Sequence, residues 1–248
     1  MQGEKAAVRH AHKIIVLSKG VQNYFLEKYH RETVLIPNGI DPATARPAQE
    51  ITKQFGLKSR EYILFLGRLV PEKGIHYLIK AYQSLRTDKK LVIVGGTSDT
   101  DDYVRQLHAM AQNNPSIIFT GFQQGTIAEE LYSNAYLYVL PSDLEGMPLT
   151  LLEAMNYGCC CVTSDIGECV DVMNGCGFSF PHGNVEALKE TLQDLCDHPE
   201  KAEAHRLMAK ETVSAKYTWR DITTQTSELY SEALGSGGKQ AGGKSLSA

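Results

Sequence analysis

Five short apolar runs, at residues 62–66, 91–94, 117–120, 136–140 and 160–163, recur along the chain with helical patterns between them. In the first intervening segment Ile75, Leu78, Ile79 and Tyr82 fall at i, i+3, i+4 and i+7, the spacing of one helical face. Further helical patterns cover 102–112, 127–134 and 149–157. Strands that alternate with helices predict an α/β fold built on a Rossmann-like, doubly wound parallel sheet. In that architecture ligands bind beyond the carboxyl ends of the strands, where Gly67, Gly95, Gly121 and Ser142 fall. Upstream, 13–17 and 34–36 read as short strands around a helix at 19–29, and the turn-rich PNGIDP stops the second of them. The segment from there to about Gln49 reads as a linker. Beyond Val185 the chain is helical to Leu234, with breaks near Pro199 and Trp219, and the closing GSGGKQAGGKSLSA is too polar and glycine-rich to fold alone.

A length of 248 residues is enough for a sizeable core. The net charge of −4 gives no electrostatic reason to expect nucleic acid. No apolar run approaches the roughly 18 residues of a membrane span, and the amino terminus has no signal-peptide pattern. Cys159, Cys160, Cys161, Cys169, Cys176 and Cys196 show no metal-like pairing and are expected to be reduced packing residues of a cytoplasmic protein.

The segment SDLEGMPLTLLEAMNYG, 142–158, runs off one strand and into a helix. Pro148 stands where proline is tolerated, at or just before the first turn, and Thr150, Leu151, Leu152, Glu153, Ala154 and Met155 continue as helix. The free N–H groups of such a start, with the positive end of the helix dipole, suit an anion. Glu145 and Glu153 bracket that place, and beside a phosphate site carboxylates need other partners, of which hydroxyl groups are the obvious ones. An anion flanked by hydroxyl-bearing groups describes a nucleoside diphosphate sugar. A second octet, GRLVPEKG at 67–74, places Arg68 and Lys73 at another strand end, where two cations can neutralise a departing diphosphate. The two glutamates could instead be a glycosidase pair, which needs carboxyl groups roughly 5–9.5 Å apart. Eight residues of continuous helix would separate them by about 12 Å, which better suits two ends of one long ligand.

GRLVPEKG followed some seventy residues on by PSDLEGMPLTLLEAM resembles the retaining GT-B glycosyltransferases of the GT4 type, also called glycosyl transferase group 1. VLSKGVQNYF, VLIPNGID, VIVGG, IIFTGF and YTWRDI extend the resemblance over residues 8–234. It implies that Arg68 and Lys73 hold the donor diphosphate, with Gly67 letting the backbone come close to the donor, that Glu145 contacts the donor sugar, and that Glu153 binds the ribose hydroxyls. It implies sugar and phosphate contacts from the backbone at Gly146, Met147, Leu149 and Thr150, and a nucleobase pocket at Phe122. The catalytic set is then Glu145, Arg68 and Lys73. No cofactor and no metal are expected, the donor being a UDP- or GDP-linked hexose. Asp99 and Asp101 spell the Asp-x-Asp of a different, metal-dependent glycosyltransferase type but sit where acidic residues suit a helix start. Gly95-Gly96 does not complete a dinucleotide fingerprint, so NAD is not expected. This chain has Gly167-Glu168 where many relatives carry Pro-Glu, so Glu168 receives no role, and Thr150 stands where a small aliphatic residue is common. His10, His12 and His76 match no catalytic position of the family.

Such enzymes have two Rossmann-like domains, and this chain begins about where the first ends. The expected organisation is a remnant of the acceptor domain and linker at 1–40, a nucleotide-sugar donor domain at 41–234, and a disordered tail at 235–248. The expected function is transfer of a hexose from a nucleoside diphosphate sugar to a hydroxyl with retention of configuration. The acceptor, a glycan or lipid-linked saccharide, would bind an N-terminal domain, through which the full enzyme could lie against the inner face of a membrane. The alternatives are a nucleotide-sugar-binding module without activity of its own and an epimerase of the same fold.

Overall fold

The computed structural model describes residues 2–96 and 101–237, and it divides into two compact units, Met1–Asp41 with the residues from Tyr217 onward, and Pro42–Lys216. The first unit opens with α1 (Gln2–His10), β1 (Ile15–Val16), α2 (Lys19–Tyr29) and β2 (Val34–Leu35). Ser18 starts α2 by accepting the Val21 N–H, and β1 pairs with β2 in parallel, Ile15 opposite Val34 and Val16 opposite Leu35. The last helix, α11 (Trp219–Gly237), supplies the apolar partner: Ile222 and Leu229 are buried with Ile36, and Val34 packs against them. Thr218 begins this helix by exchanging hydrogen bonds with Asp221, its hydroxyl accepting the Asp221 N–H and donating to the carboxylate. A Cβ at Gly39 would lie 2.7 Å from the Trp219 ring, so the NGI turn passes against the start of α11 only as glycine. The expected tail overlaps this helix at 235–237, because the i, i+4 pattern of α11 carries on into the glycines; residues 238–248 lie outside the described residues.

The second unit begins with α3 (Glu50–Phe55). Gln49 makes no side-chain cap, and the buried Glu130 carboxylate takes that role by accepting the N–H groups of Gln49 and Ile51 at 2.9 and 3.1 Å. The sheet then assembles from β3 (Tyr62–Leu66), β4 (Lys90–Val94), β5 (Ile117–Gly121), β6 (Leu137–Leu140), β7 (Cys160–Ser164) and β8 (Phe178–Phe180). All neighbours are parallel, in the order β5-β4-β3-β6-β7-β8. This is the doubly wound sheet expected, with the chain leaving β3 for one side and returning at β6 on the other. Its crossovers carry α4 (Ile75–Gln83), α5 (Asp101–Ala111), α6 (Thr126–Asn134), α7 (Leu149–Asn156) and α8 (Gly167–Met173). After β8 come α9 (Val185–Asp197), which packs on α4, and α10 (Pro199–Lys216), which packs on α7 and β7. Both faces are therefore covered, and the central strands read as continuous apolar runs rather than alternating ones.

That cover explains the cysteine run. Cys160 and Cys161 are successive residues of β7 and so face opposite sides of the sheet; Cys159 precedes the strand, all three are fully buried, and every cysteine is a free thiol. Burial pushes the Cys160 thiol up to about 12 and that of Cys159 to about 11, which suits packing and not nucleophilic chemistry. At the amino-terminal edge of the sheet, Arg60 and Arg206 both donate to the Ala135 carbonyl, at 2.6 and 3.3 Å. Two cations thus hold the carboxyl end of α6, where carbonyls lack helical partners. Asp101 opens α5, while Asp99 lies outside the described residues. Among the described residues, no helix is long and apolar enough to cross a membrane.

Candidate functional site

The loops after β3 and β6 leave adjacent strands in opposite directions and open a crevice at the carboxyl edge of the sheet. The loop after β3 is tied to its neighbour strand by the Gly67 N–H to Val94 carbonyl bond (3.0 Å) and by the Leu69 N–H to Gly96 carbonyl bond (3.1 Å). Two glycines make the approach possible. A Cβ at Gly95 would sit 1.9 Å from the Gly67 carbonyl oxygen, and one at Gly74 would sit 2.0 Å from that of Pro141. Gly74 also has φ +66°, which ends the single 3-10 turn Pro71–Lys73 and starts α4. The loop after β6 returns the contact, the Asp143 N–H donating to the Glu72 carbonyl at 2.8 Å.

This stitching brings Lys73 and Glu145 together. Lys73 Nζ lies 2.6 Å from Glu145 Oε1, with side chains only 13% and 7% exposed. The Ser142 hydroxyl donates to the same oxygen at 2.6 Å, and Ser164 at the end of β7 donates to the Ser142 carbonyl. Glu145 is thus a carboxylate held in place by a cation and a hydroxyl, inside a loop whose backbone is itself pinned. Beyond it Gly146 is exposed and Met147 half-buried, and α7 starts at Leu149 behind Pro148. The helix therefore covers only half of the interval between Glu145 and Glu153, and the spacing of a continuous helix does not describe their separation. Thr150 turns its hydroxyl inward, where it accepts from Tyr138 at 2.8 Å.

Glu153 occupies different surroundings. Its Oε2 accepts a 2.8 Å hydrogen bond from Tyr132 of α6. Burial raises its pKa above the ordinary carboxylate value, and the Tyr132 bond opposes that rise. Arg68 is exposed on the loop after β3. Phe122 is 70% exposed, directly after Gly121, whose φ is +71°, and its Cβ lies against Gly96. His76 is bonded to the Tyr103 hydroxyl at 2.9 Å.

The expected site residues are thus distributed along the carboxyl ends of β3, β5 and β6 and the first two turns of α7, and the structure puts Lys73 and Glu145 in direct contact. Sequence reasoning missed Tyr132, Tyr138 and Ser164. Tyr138 belongs to an apolar run expected to form a strand, Tyr132 to a segment expected only as helix, and Ser164 lies one residue past the expected end of its strand. Chemically, two cations and a helix start can meet an anion, while two carboxylates in separate partnerships can accept from hydroxyl groups. Among the described residues, no group of three His, Cys, Asp or Glu is placed to hold a metal ion.

A family model described as "Glycosyl transferases group 1" matches residues 48–212. The alpha-maltose-1-phosphate synthase of Mycolicibacterium smegmatis is 26% identical over 250 aligned positions, covering 92% of this chain and 65% of that protein. Among solved structures, Anabaena HepE in complex with UDP and glucose superposes with a TM-score of 0.86 at 23% identity, covering 93% of this chain and 66% of that one. Sucrose-phosphate synthase from Thermosynechococcus elongatus gives 0.83 at 25% identity, covering 95% and 61%. The chain thus spans somewhat less than two thirds of the length of the curated relatives it matches.

Proposed function

The chain belongs to the glycosyl transferases group 1 family, and from that premise we propose that it is the donor-binding part of a retaining hexosyltransferase. The observation that carries this reading is the buried Lys73–Glu145 contact in the crevice between β3 and β6. It is a cation of a kind suited to phosphate beside a carboxylate of a kind suited to hydroxyl groups, which supports a site for a sugar joined to a diphosphate. Arg68, Lys73 and the backbone around Gly67 hold the diphosphate and meet the charge that develops as it departs. The start of α7 at Leu149 and Thr150, with Gly146 and Met147 before it, adds N–H groups and the positive end of the helix dipole. Glu145 accepts from the sugar hydroxyls and stabilises positive charge near the anomeric carbon. Glu153 accepts from the ribose, and Phe122 offers a ring face to the base. This scheme assigns the charge of the leaving group to the protein's own cations, with no metal and no cofactor. The hydroxyl acceptor, a glycan or a lipid-linked saccharide, is bound by a separate domain of the full enzyme. Support from relatives is at the level of fold and family: HepE was solved with UDP and glucose.

The test is a thermal-shift titration with UDP, GDP and ADP. A nucleotide that binds only the folded state stabilises it by about 2.7 kcal/mol at 100 times its dissociation constant. One nucleotide is expected to shift the melting temperature, and the shift should be lost in Arg68→Ala and Lys73→Ala, each compared with its own ligand-free baseline. No response to any of the three in the unaltered chain overturns the reading.

A further inference from the structure

The Tyr132 hydroxyl donates to the Glu153 side chain, and it comes from a helix anchored at several points. Its own ring is 2% exposed. That ring stacks on Tyr157 with centroids 5.6 Å apart and planes 9° from parallel, and it tilts against Tyr138 at 6.0 Å. Its carbonyl accepts from the Cys159 thiol, the carbonyl of neighbouring Leu131 accepts from Tyr62, and Arg60 and Arg206 hold the end of α6. A phenol so packed has little freedom to reorient, so its hydroxyl fixes where the carboxylate goes. The bond uses Oε2.

We propose that Tyr132 is a positioning residue for nucleotide binding: it clamps Oε2 of Glu153 from behind, so that Oε1 is presented to the vicinal hydroxyls of a ribose. The inference rests on the donor-binding reading above and deepens it. It also explains how a carboxylate sunk in an apolar setting can accept two hydroxyl donors at neutral pH. Burial favours the protonated form of Glu153, which would donate where the ligand also donates, and the Tyr132 hydroxyl counteracts this by bonding to the ionised form. Among the described residues, the ionisable groups that face Glu153 are phenols: Tyr132 from α6, Tyr138 from β6 and Tyr157 just past α7. Burial raises the pKa of all three, so they stay protonated while Glu153 titrates.

The experiment is calorimetric titration of the full chain with UDP and with GDP between pH 5 and pH 8, for the unaltered protein and for Tyr132→Phe. The expected result is binding by the tyrosine protein that weakens on the acid side as Glu153 takes up a proton. In Tyr132→Phe binding should be about tenfold weaker at neutral pH, the size expected for one hydrogen bond to a charged group, and the acid-side loss should begin at higher pH. A uniform weakening with an unmoved acid limb, or unchanged affinity, overturns the proposal, since a merely structural tyrosine would not move the limb. 3-Fluorotyrosine at position 132 keeps the ring and strengthens the donor. It should shift the limb the other way and covers the case in which Tyr132→Phe does not fold. Failure of the unaltered chain to bind either nucleotide would instead strike the donor-binding reading itself, which separates the two failures.

Discussion

Glu145 and Glu153 stand eight residues apart in the sequence and are held by opposite means. Glu145 has an ammonium and a hydroxyl on the same oxygen, whereas Glu153 has one phenol and a cost of burial. The difference gives a stability prediction. The folded-state pKa of Glu153 is raised, so folding favours its protonated form, and stability is lost as the pH climbs from the unfolded value, about 4.3, through the higher folded value. Glu153→Gln keeps an acceptor for Tyr132 and removes the ionisation. At pH 7.5 it should be more stable than the parent by about 0.5–1 kcal/mol, with the gap closing as the pH falls to 4.5. Urea denaturation at the two pH values measures this, and a variant less stable at pH 7.5 would show the carboxylate to be net stabilising. The same substitution should weaken the nucleotide response, placing the cost of burial with the function it serves.

At the scale of elements, two loops are locked by the absence of a side chain at Gly74. Alanine there would meet the Pro141 carbonyl at 2.0 Å and must also hold φ at +66°. Gly175 offers a comparison, with φ +82° and open space around its would-be Cβ. Gly175→Ala should cost about 1 kcal/mol, the backbone penalty alone, and Gly74→Ala about 2–3 kcal/mol together with the nucleotide response. Equal costs in thermal denaturation would mean that the loops after β3 and β6 are not rigidly joined. The elements that build this crevice were readable from the chain because their signals are local. Residues 62–66 are an unbroken apolar run, and Ile75, Leu78, Ile79 and Tyr82 mark a helical face. What escaped had distant causes or was too short to show a pattern. The start of α3 is capped by Glu130, some eighty residues away. β8 is three residues long and ordered by pairing with β7. α8 is a seven-residue helix with too few turns to show a period, and α1 also went unread. At the site, Arg68, Lys73, Glu145 and Glu153 were visible in their octet and loop. Tyr132 was not, since its hydroxyl reaches a neighbouring helix 21 positions on.

At the scale of the whole molecule, the first 41 residues and those from Tyr217 onward belong to one compact unit, and Pro42–Lys216 make up the other. A chain ending at Lys216 should therefore keep its nucleotide-dependent thermal shift, while the amides of β1 and β2 lose protection from hydrogen exchange, having lost Ile222 and Leu229 as cover for Ile36. Protection that persists would show that the two strands are stable without α11. The discontinuity also fixes an order of events during synthesis. A ribosome delivers earlier residues first, at roughly 5–20 residues per second, so β1 and β2 emerge before the helix that covers Ile36. All of Pro42–Lys216 must follow before the segment that covers them exists. The six-stranded sheet can mature while β1 and β2 wait, because the residues that cover Ile36 are separated from it in sequence by the whole of Pro42–Lys216.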